Sequence, residues 1–306
     1  MSAVRPCLSI GLPVYNGERY IARALDSISN QSFEDYEIII SDNASTDRTV
    51  EICQEYAARD RRVRLFQNQQ NVGATKNYNR VFELAGGKYF KWAAHDDELA
   101  VEFLSKCVTV LDQDSEIILC HTKSAMIDEQ SLKIGSYESK VNWNAATPQE
   151  RFHDLVLSRH PCTAIFGVVR SEVLRRTPLI GNFVGSDRNL LAELGLLGRI
   201  YEVPEYLFFR RDHSQASISK YDEYERLKWF DPNKTGRIHL PYWRNGLEYF
   251  NAVRRVPLRW PERLICYRYA AFWFKRERKS LLRDIEVAFY QMLPGSFNRK
   301  IHHKVS

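Results

Sequence analysis

The first 120 residues alternate short apolar runs with amphipathic stretches, and this alternation restricts the fold more than any other property of the chain. Residues 8–13 read as a strand, and residues 18–29 follow with Tyr20, Ile21, Ala24, Leu25 and Ile28 at the spacing of one helix face. Residues 36–41 (YEIIIS) are apolar without alternation, as a strand covered on both faces requires. A helix over 47–58 places Val50, Cys53, Tyr56 and Ala57 on one side, with Ser45 or Thr46 expected as its cap. A strand at 63–67, a helix over 74–85 stopped by Gly86-Gly87, a strand at 88–93, a helix over 99–111 and a strand at 117–121 complete the series. The fold class expected is α/β, a mostly parallel central sheet with helices on both faces.

Beyond residue 121 the pattern loosens. A hairpin and a helix over 148–157 are expected within 122–160, then an apolar stretch at 163–169, a helix near 188–197 and two short strands at 199–203 and 206–210. A polar linker is expected over 219–235, around Asp231-Pro232-Asn233. The division expected is a catalytic domain over 1–219, made of a nucleotide-side part (1–121) and an acceptor-side part (122–219), followed by a helical extension over 220–306.

Charge is concentrated at one end. Residues 251–306 hold 13 Lys and Arg against 4 Asp and Glu, while the whole chain of 306 residues has a net charge of only +6. The same segment contains Trp260, Tyr267, Tyr269, Phe272, Trp273 and Phe274, a pairing suited either to an interfacial helix on anionic lipid or to a solvated helix over a small core. No nucleic-acid recognition motif accompanies this charge, so no nucleic-acid partner is expected. No apolar run reaches 18 residues, and MSAVRPCLSI lacks the charged start and apolar centre of a signal peptide. Six scattered cysteines without a CxxC pair fit a reducing compartment, so a cytoplasmic location is expected.

Each of the first four strands is followed by a loop of small and polar residues. These are Pro13-Val14-Tyr15-Asn16-Gly17, then Ser41-Asp42-Asn43-Ala44-Ser45-Thr46-Asp47, then Asn68-Gln69-Gln70-Asn71-Val72-Gly73, then Ala94-His95-Asp96-Asp97-Glu98. In a parallel sheet these loops share the edge at the carboxyl ends of the strands, where ligands bind. A carboxylate such as Asp42 can hold ribose hydroxyls or a base N–H, or can simply cap a helix. The acidic cluster can hold a divalent metal bridging a diphosphate. Neither GxGxxG nor GxxxxGK[ST] occurs, which argues against dinucleotide-binding dehydrogenases and P-loop enzymes.

In register, the segments LSIGLPVYNGERYIARALDSISNQS, YEIIISDNASTDRT, NQQNVGATKNYN and GGKYFKWAAHDDE closely resemble glycosyltransferase family 2, whose fold is the A-type nucleotide-sugar-binding sheet. The resemblance implies that Pro13, Tyr15 and Asn16 line the nucleotide pocket, that Asp42 contacts the base, and that Asn71 and Gly73 lie beside the nucleotide. It sets Lys76 near a phosphate or sugar hydroxyl, with a plain surface lysine as the other reading. The usual Asp-x-Asp-Asp motif departs here to Ala94-His95-Asp96-Asp97, leaving Asp96 as main ligand for Mn2+ or Mg2+, supported by Asp97 or His95.

Asp187, in Gly185-Ser186-Asp187-Arg188, matches the family's acidic catalytic motif and would be the general base, a helix-cap role being open beside it. Arg210-Arg211-Asp212-His213-Ser214-Gln215-Ala216-Ser217 is similar to the family's Arg-x-His-x-x-Ser segment, so His213 would complete the metal or diphosphate site. Arg210 or Arg211 would help neutralise the diphosphate. Residues 160–164 and 180–184 are candidates for the acceptor wall. The implied enzyme is an inverting glycosyltransferase using a nucleotide-sugar donor on a glycan or lipid-linked acceptor, in polysaccharide or glycolipid synthesis, with peripheral membrane contact through residues 251–306 at the cytoplasmic face. The alternative, suggested by Ala94, is a degenerate member that binds nucleotide or sugar without turnover. Donor base, sugar and acceptor are not legible.

Overall fold

A computed structural model describes residues 5–139, 141–214, 230 and 240–292. Strands β1 (Leu8–Val14), β2 (Tyr36–Asp42), β3 (Val63–Gln67) and β4 (Tyr89–Trp92) are connected through helices α1 (Ile21–Ser29), α2 (Thr49–Arg59) and α3 (Ala74–Glu83). They pair in the order β3-β2-β1-β4, all parallel. Side chains alternate between the two faces of a strand. Leu8, Ile10 and Leu12 of β1 and Ile38 and Ile40 of β2 therefore pack with Ile21, Leu25 and Ile28 of α1, whereas Ile39 joins Val81 of α3 on the opposite face. Gly11 lies on that second face, and a methyl group there would come within 2.6 Å of Val81, so α3 lies close against the sheet.

The chain continues through β5 (Glu98–Leu99), α4 (Phe103–Gln113), β6 (Ile117–Ile127), β7 (Lys133–Tyr137), α5 (Pro148–Leu157), β8 (Val168–Arg170), α6 (Ser171–Leu174), α7 (Ser186–Leu197) and β9 (Arg199–Arg211). The sheet extends in the order β4-β8-β6-β9-β5, with β7 paired to β6 off this path. Beyond β4 the sheet is mixed. β8 is antiparallel to both β4 and β6, and β6 is parallel to β9. Two reversals restore direction, so β9 ends at the same edge of the sheet as β1 to β4.

Three local expectations differ from the structure. The helix expected over 99–111 starts only at Phe103, because Glu98 and Leu99 pair with Phe209 and Phe208 of β9 as β5. The strands expected at 199–203 and 206–210 are one strand, because the pairing with β6 shifts register at Thr122 and Lys123 and absorbs Pro204 and Glu205 as a bulge. The start of α2 is not capped by Ser45 or Thr46. Asp47 Oδ1 accepts the Thr49 N–H at 3.0 Å and Glu18 Oε2 accepts the Arg48 N–H at 2.9 Å, which leaves the Ser45 hydroxyl to accept from Asn16 N–H at 2.9 Å.

Three further helices, α8 (Pro241–Arg255), α9 (Trp260–Arg276) and α10 (Arg278–Met292), close the second face. Tyr249, Val253, Cys266, Ala270 and Trp273 belong to the same core as Val81 and Trp92. The expected linker lies outside the described residues apart from Phe230. In the first core, Lys91 of β4 is buried, with its Nζ donating to the Phe166 carbonyl and lying 4.6 Å from the Phe103 ring centroid. Burial pushes its ammonium down to about 7.

Candidate functional site

The loops after β2 and β3 are joined by buried amides. Asn68 Nδ2 donates to Asn43 Oδ1 and to Asn77 Oδ1, both at 3.0 Å, Asn43 Nδ2 donates to Asn71 Oδ1 at 2.9 Å, and Asn77 Nδ2 donates to the Ser41 carbonyl at 2.8 Å. Asn71 Oδ1 also accepts the Gly73 N–H at 2.9 Å, and Gly73 sits at φ 86 and ψ 158, a region open essentially to glycine alone. Asn43, Asn68 and Asn77 are sites that sequence reasoning missed, and the only signal for them is the density of Asn after β2 and β3.

Asp42 is 1% exposed at the end of β2. One carboxylate oxygen accepts the Ser45 N–H at 3.1 Å, and the other has no hydrogen-bond partner among the described residues. An orphaned buried acceptor is costly unless a ligand donor meets it. Asn16, at φ 51, accepts the Thr46 N–H at 2.9 Å, which links the β1 and β2 loops, while Tyr15 beside it is exposed. Pro13 is buried in β1, and Lys76 is exposed on α3.

The acidic loop after β4 meets the end of β9. His213 Nε2 lies 2.9 Å from Asp96 Oδ2, and its ring packs against Tyr20 at 4.8 Å between centroids. Arg211, 1% exposed, donates from its backbone to Asp97 Oδ1 (2.9 Å), from Nε to the Asp96 carbonyl (2.9 Å), and from the guanidinium tips to Glu98, Ser131 and the Asp128 carbonyl. Arg211 is therefore spent on holding the loop and is not free for a diphosphate, which corrects the expectation that it would share that task. Arg210, one position earlier, donates to the Tyr137 hydroxyl at 2.6 Å and its charge reaches Asp97. His95 lies against Gly17, where an added methyl would meet its ring at 2.7 Å.

Burial and the adjacent Asp96 charge push the Asp97 carboxyl up. Burial also pushes Asp96 upward, but the His95 and His213 charges outweigh it and hold Asp96 below the ordinary carboxylate value. Asp96 is thus the anion of the pair.

Asp187 stands in the first turn of α7, behind Gly185 at φ 85, and its Oδ1 accepts the Arg188 N–H at 2.8 Å. Arg188 in turn donates to the His160 carbonyl at 2.9 Å. Burial raises the Tyr78 hydroxyl, and the charges of Asp96, Asp97 and Asp187 raise it further. Cys162 is raised by burial and then by Asp187. Tyr78 thus feels the charge of both the acidic loop and the start of α7. Sequence reasoning gave Tyr78 no place in the site. The candidate acceptor loop at 180–184 is fixed from two sides, with Asn79 Nδ2 donating to the Ile180 carbonyl (3.0 Å) and Asn245 Nδ2 of α8 donating to the Val184 carbonyl (2.8 Å).

Among the described residues no group of three or more His, Cys, Asp or Glu is arranged to hold a metal by itself. The Asp96–His213 pair does fit a divalent cation that takes its other ligands from substrate and water. Its 2.9 Å spacing is close to the ~3 Å expected between adjacent ligands of a small octahedral ion. An oxygen and an imidazole nitrogen also form a donor set that Mn2+ accepts. His213 Nδ1 is buried without a partner among the described residues.

The carboxyl edge of the sheet thus gathers a buried carboxylate with one open oxygen, an Asp–His pair and an acidic helix start. The profile of Glycosyl transferase family 2 matches residues 9–176, more than half of the chain, and the chain belongs to that family. It is 28% identical over 249 residues to an uncharacterized glycosyltransferase of Haemophilus influenzae, covering 79% of this chain and 76% of that one. It is 34% identical over 138 residues to chondroitin synthase of Escherichia coli, covering 45% of this chain but only 20% of that much longer protein. Among solved structures, S. aureus TarS 1–349 in complex with UDP-GlcNAc shares the fold at TM-score 0.65 and 16% identity, over 94% of this chain and 81% of that one. A mannosyltransferase from Pyrobaculum calidifontis in complex with GDP-Man and Mn2+ shares it at TM-score 0.53 and 13% identity, over 95% and 89%. The chain is a glycosyltransferase.

Proposed function

We propose that this glycosyltransferase moves a sugar from a nucleoside-diphosphate sugar to an acceptor hydroxyl with inversion, in the synthesis of a cell-surface polysaccharide or glycolipid at the cytoplasmic face of a membrane. The observation that carries this reading is the Asp96–His213 pair, 2.9 Å apart at the carboxyl edge of the sheet, in an acidic loop that Arg211 ties to the end of β9. The structures solved with UDP-GlcNAc and with GDP-Man support a nucleotide-sugar donor.

In this reading the open oxygen of Asp42 takes a base N–H, and Pro13, Tyr15, Asn16, Asn71 and Gly73 border the nucleotide. Lys76 reaches toward a phosphate or sugar hydroxyl. Asp96 and His213 would hold a divalent cation, Mn2+ or Mg2+, which when bound supplies charge neutralisation at the diphosphate leaving group. Arg210 adds a second positive charge there. Asp97 and His95 border the same phosphates. Asp187 takes the proton of the acceptor hydroxyl as its oxygen attacks the anomeric carbon from the face opposite the diphosphate, and one such displacement inverts the centre. Residues 160–164 and 180–184 wall the acceptor side.

The test is a donor screen. Full-length protein with Mn2+ or Mg2+ is incubated with UDP-, GDP- and dTDP-sugars, and released nucleoside diphosphate is measured for wild type and Asp187→Asn. Release from one donor that is abolished in Asp187→Asn identifies the donor and supports the base. Nucleotide binding without release, even with membrane lipid added as acceptor, would overturn the catalytic reading in favour of a binding protein.

A further inference from the structure

Helices α9 and α10 are separated by the single residue Glu277, and the helical hydrogen bonding runs through it. Its N–H donates to the Trp273 carbonyl at 2.9 Å, and its own carbonyl accepts the Leu281 N–H at 3.0 Å. At about 100° per residue, the buried residues of both helices (Cys266, Ala270, Trp273, Leu281, Asp284, Ala288) fall in one sector roughly 80° wide, so the phase is kept across the junction.

The opposite face has a single character along its whole length. Trp260, Leu264, Phe272, Leu282, Ile285 and Phe289 are all exposed, and all fall within a second sector roughly 140° wide. Trp260, Leu282 and Phe289 are 66%, 65% and 60% exposed, far more than large apolar side chains near a core usually are. Exposed Arg268, Lys275, Arg278 and Lys279 share that sector, against one exposed acid, Glu286. An isologous contact with a second copy would bring these cations together, which disfavours self-association. Apolar side chains interleaved with cations match the boundary layer of an anionic bilayer, where aromatic rings sit at the headgroup level. Among the described residues no helix is long and apolar enough to cross a membrane, so this surface suits lying on one.

We propose that the outer face of α9 and α10 is an interfacial anchor that lies in the headgroup region of an anionic membrane. This deepens the reading of the chain as a transferase acting at a membrane, by naming the surface and the lipid charge it requires. Its test does not depend on turnover.

The full chain is sedimented with phosphatidylcholine vesicles and with vesicles containing phosphatidylglycerol, at low and high salt. Binding to the anionic vesicles is expected to be at least about tenfold stronger and to weaken with salt. The variant Leu282→Ser/Ile285→Ser/Phe289→Ser changes only exposed positions, and is expected to lose about tenfold or more of that binding while keeping its thermal midpoint and soluble donor hydrolysis. Arg278→Glu/Lys279→Glu is expected to remove the preference for anionic lipid and serves if the triple variant misfolds. No binding to anionic vesicles, binding unchanged in both variants, or a dimer in light scattering that the triple variant abolishes would each overturn the proposal. Loss of vesicle binding with donor hydrolysis intact separates failure of this surface from failure of the catalytic reading.

Discussion

His213 Nε2 stands 2.9 Å from Asp96 Oδ2, although 117 positions separate the two residues along the chain. The contact exists because β8 reverses direction between β4 and β6, which returns β9 to the edge where β4 ends. If this pair holds a divalent cation, His213→Ala and Asp96→Asn should each raise the Mn2+ concentration needed for half-maximal donor hydrolysis by at least about tenfold. Metal titration of both variants checks this, and an unchanged titration would remove the pair from the metal site.

Asp187 stands in the first turn of α7, where its charge raises both Tyr78 and Cys162. Asp187→Asn preserves size and the helix start. It should lower kcat by roughly 10²–10⁴-fold. If Asp187 takes the acceptor proton, donor Kd, read by calorimetry, should stay nearly constant. Equal losses in kcat and donor affinity would mean that Asp187 binds donor instead.

Arg211 is a buried cation whose partners come from the acidic loop, the β6–β7 turn and β5. Arg211→Met leaves Glu98 and two carbonyls without their donor and should cost about 3–5 kcal/mol in urea unfolding. Arg211→Lys should recover only part of this, since an ammonium cannot reproduce the planar fork. Full rescue by lysine would show that charge alone matters here.

Lys91 has a folded-state pKa near 7, set first by desolvation, against an unfolded value of about 10.4. Between those values the unfolded chain binds more protons, so stability contributed at this site rises with pH across that window. The penalty is therefore fully present below about pH 7 and fades toward pH 10. Lys91→Met should raise the thermal midpoint at pH 6.5, and its advantage over wild type should shrink steadily as the pH is raised to 10. A difference independent of pH would mean that Lys91 has the same pKa in the folded and unfolded chain.

Gly73 holds φ 86 and ψ 158 at the start of α3. Gly73→Ala should destabilise by about 1–3 kcal/mol through backbone strain. It should also weaken nucleotide binding, since Gly73 N–H is tied to Asn71. Parallel unfolding and nucleotide-binding measurements check both, and a neutral substitution would place the loop elsewhere in solution.

Side-chain period and turn chemistry are local properties, so the first four strands, the helices between them and the four polar loops are legible in the sequence. It also placed Asp42, Asp96 and Asp187 at element boundaries and showed that the C-terminal segment is both basic and aromatic. What it could not reach depends on which distant elements meet. Arg210 and Arg211 are equivalent by composition, and only the approach of Glu98, Asp128 and Ser131 makes Arg211 the buried one. The same holds for Ser45, whose hydroxyl serves Asn16 instead of capping α2. In the C-terminal helices, packing chose Trp273 for the core and left Trp260 and Phe272 outside. Local pattern fixes what each segment is, and burial against a partner far along the chain fixes what each side chain does.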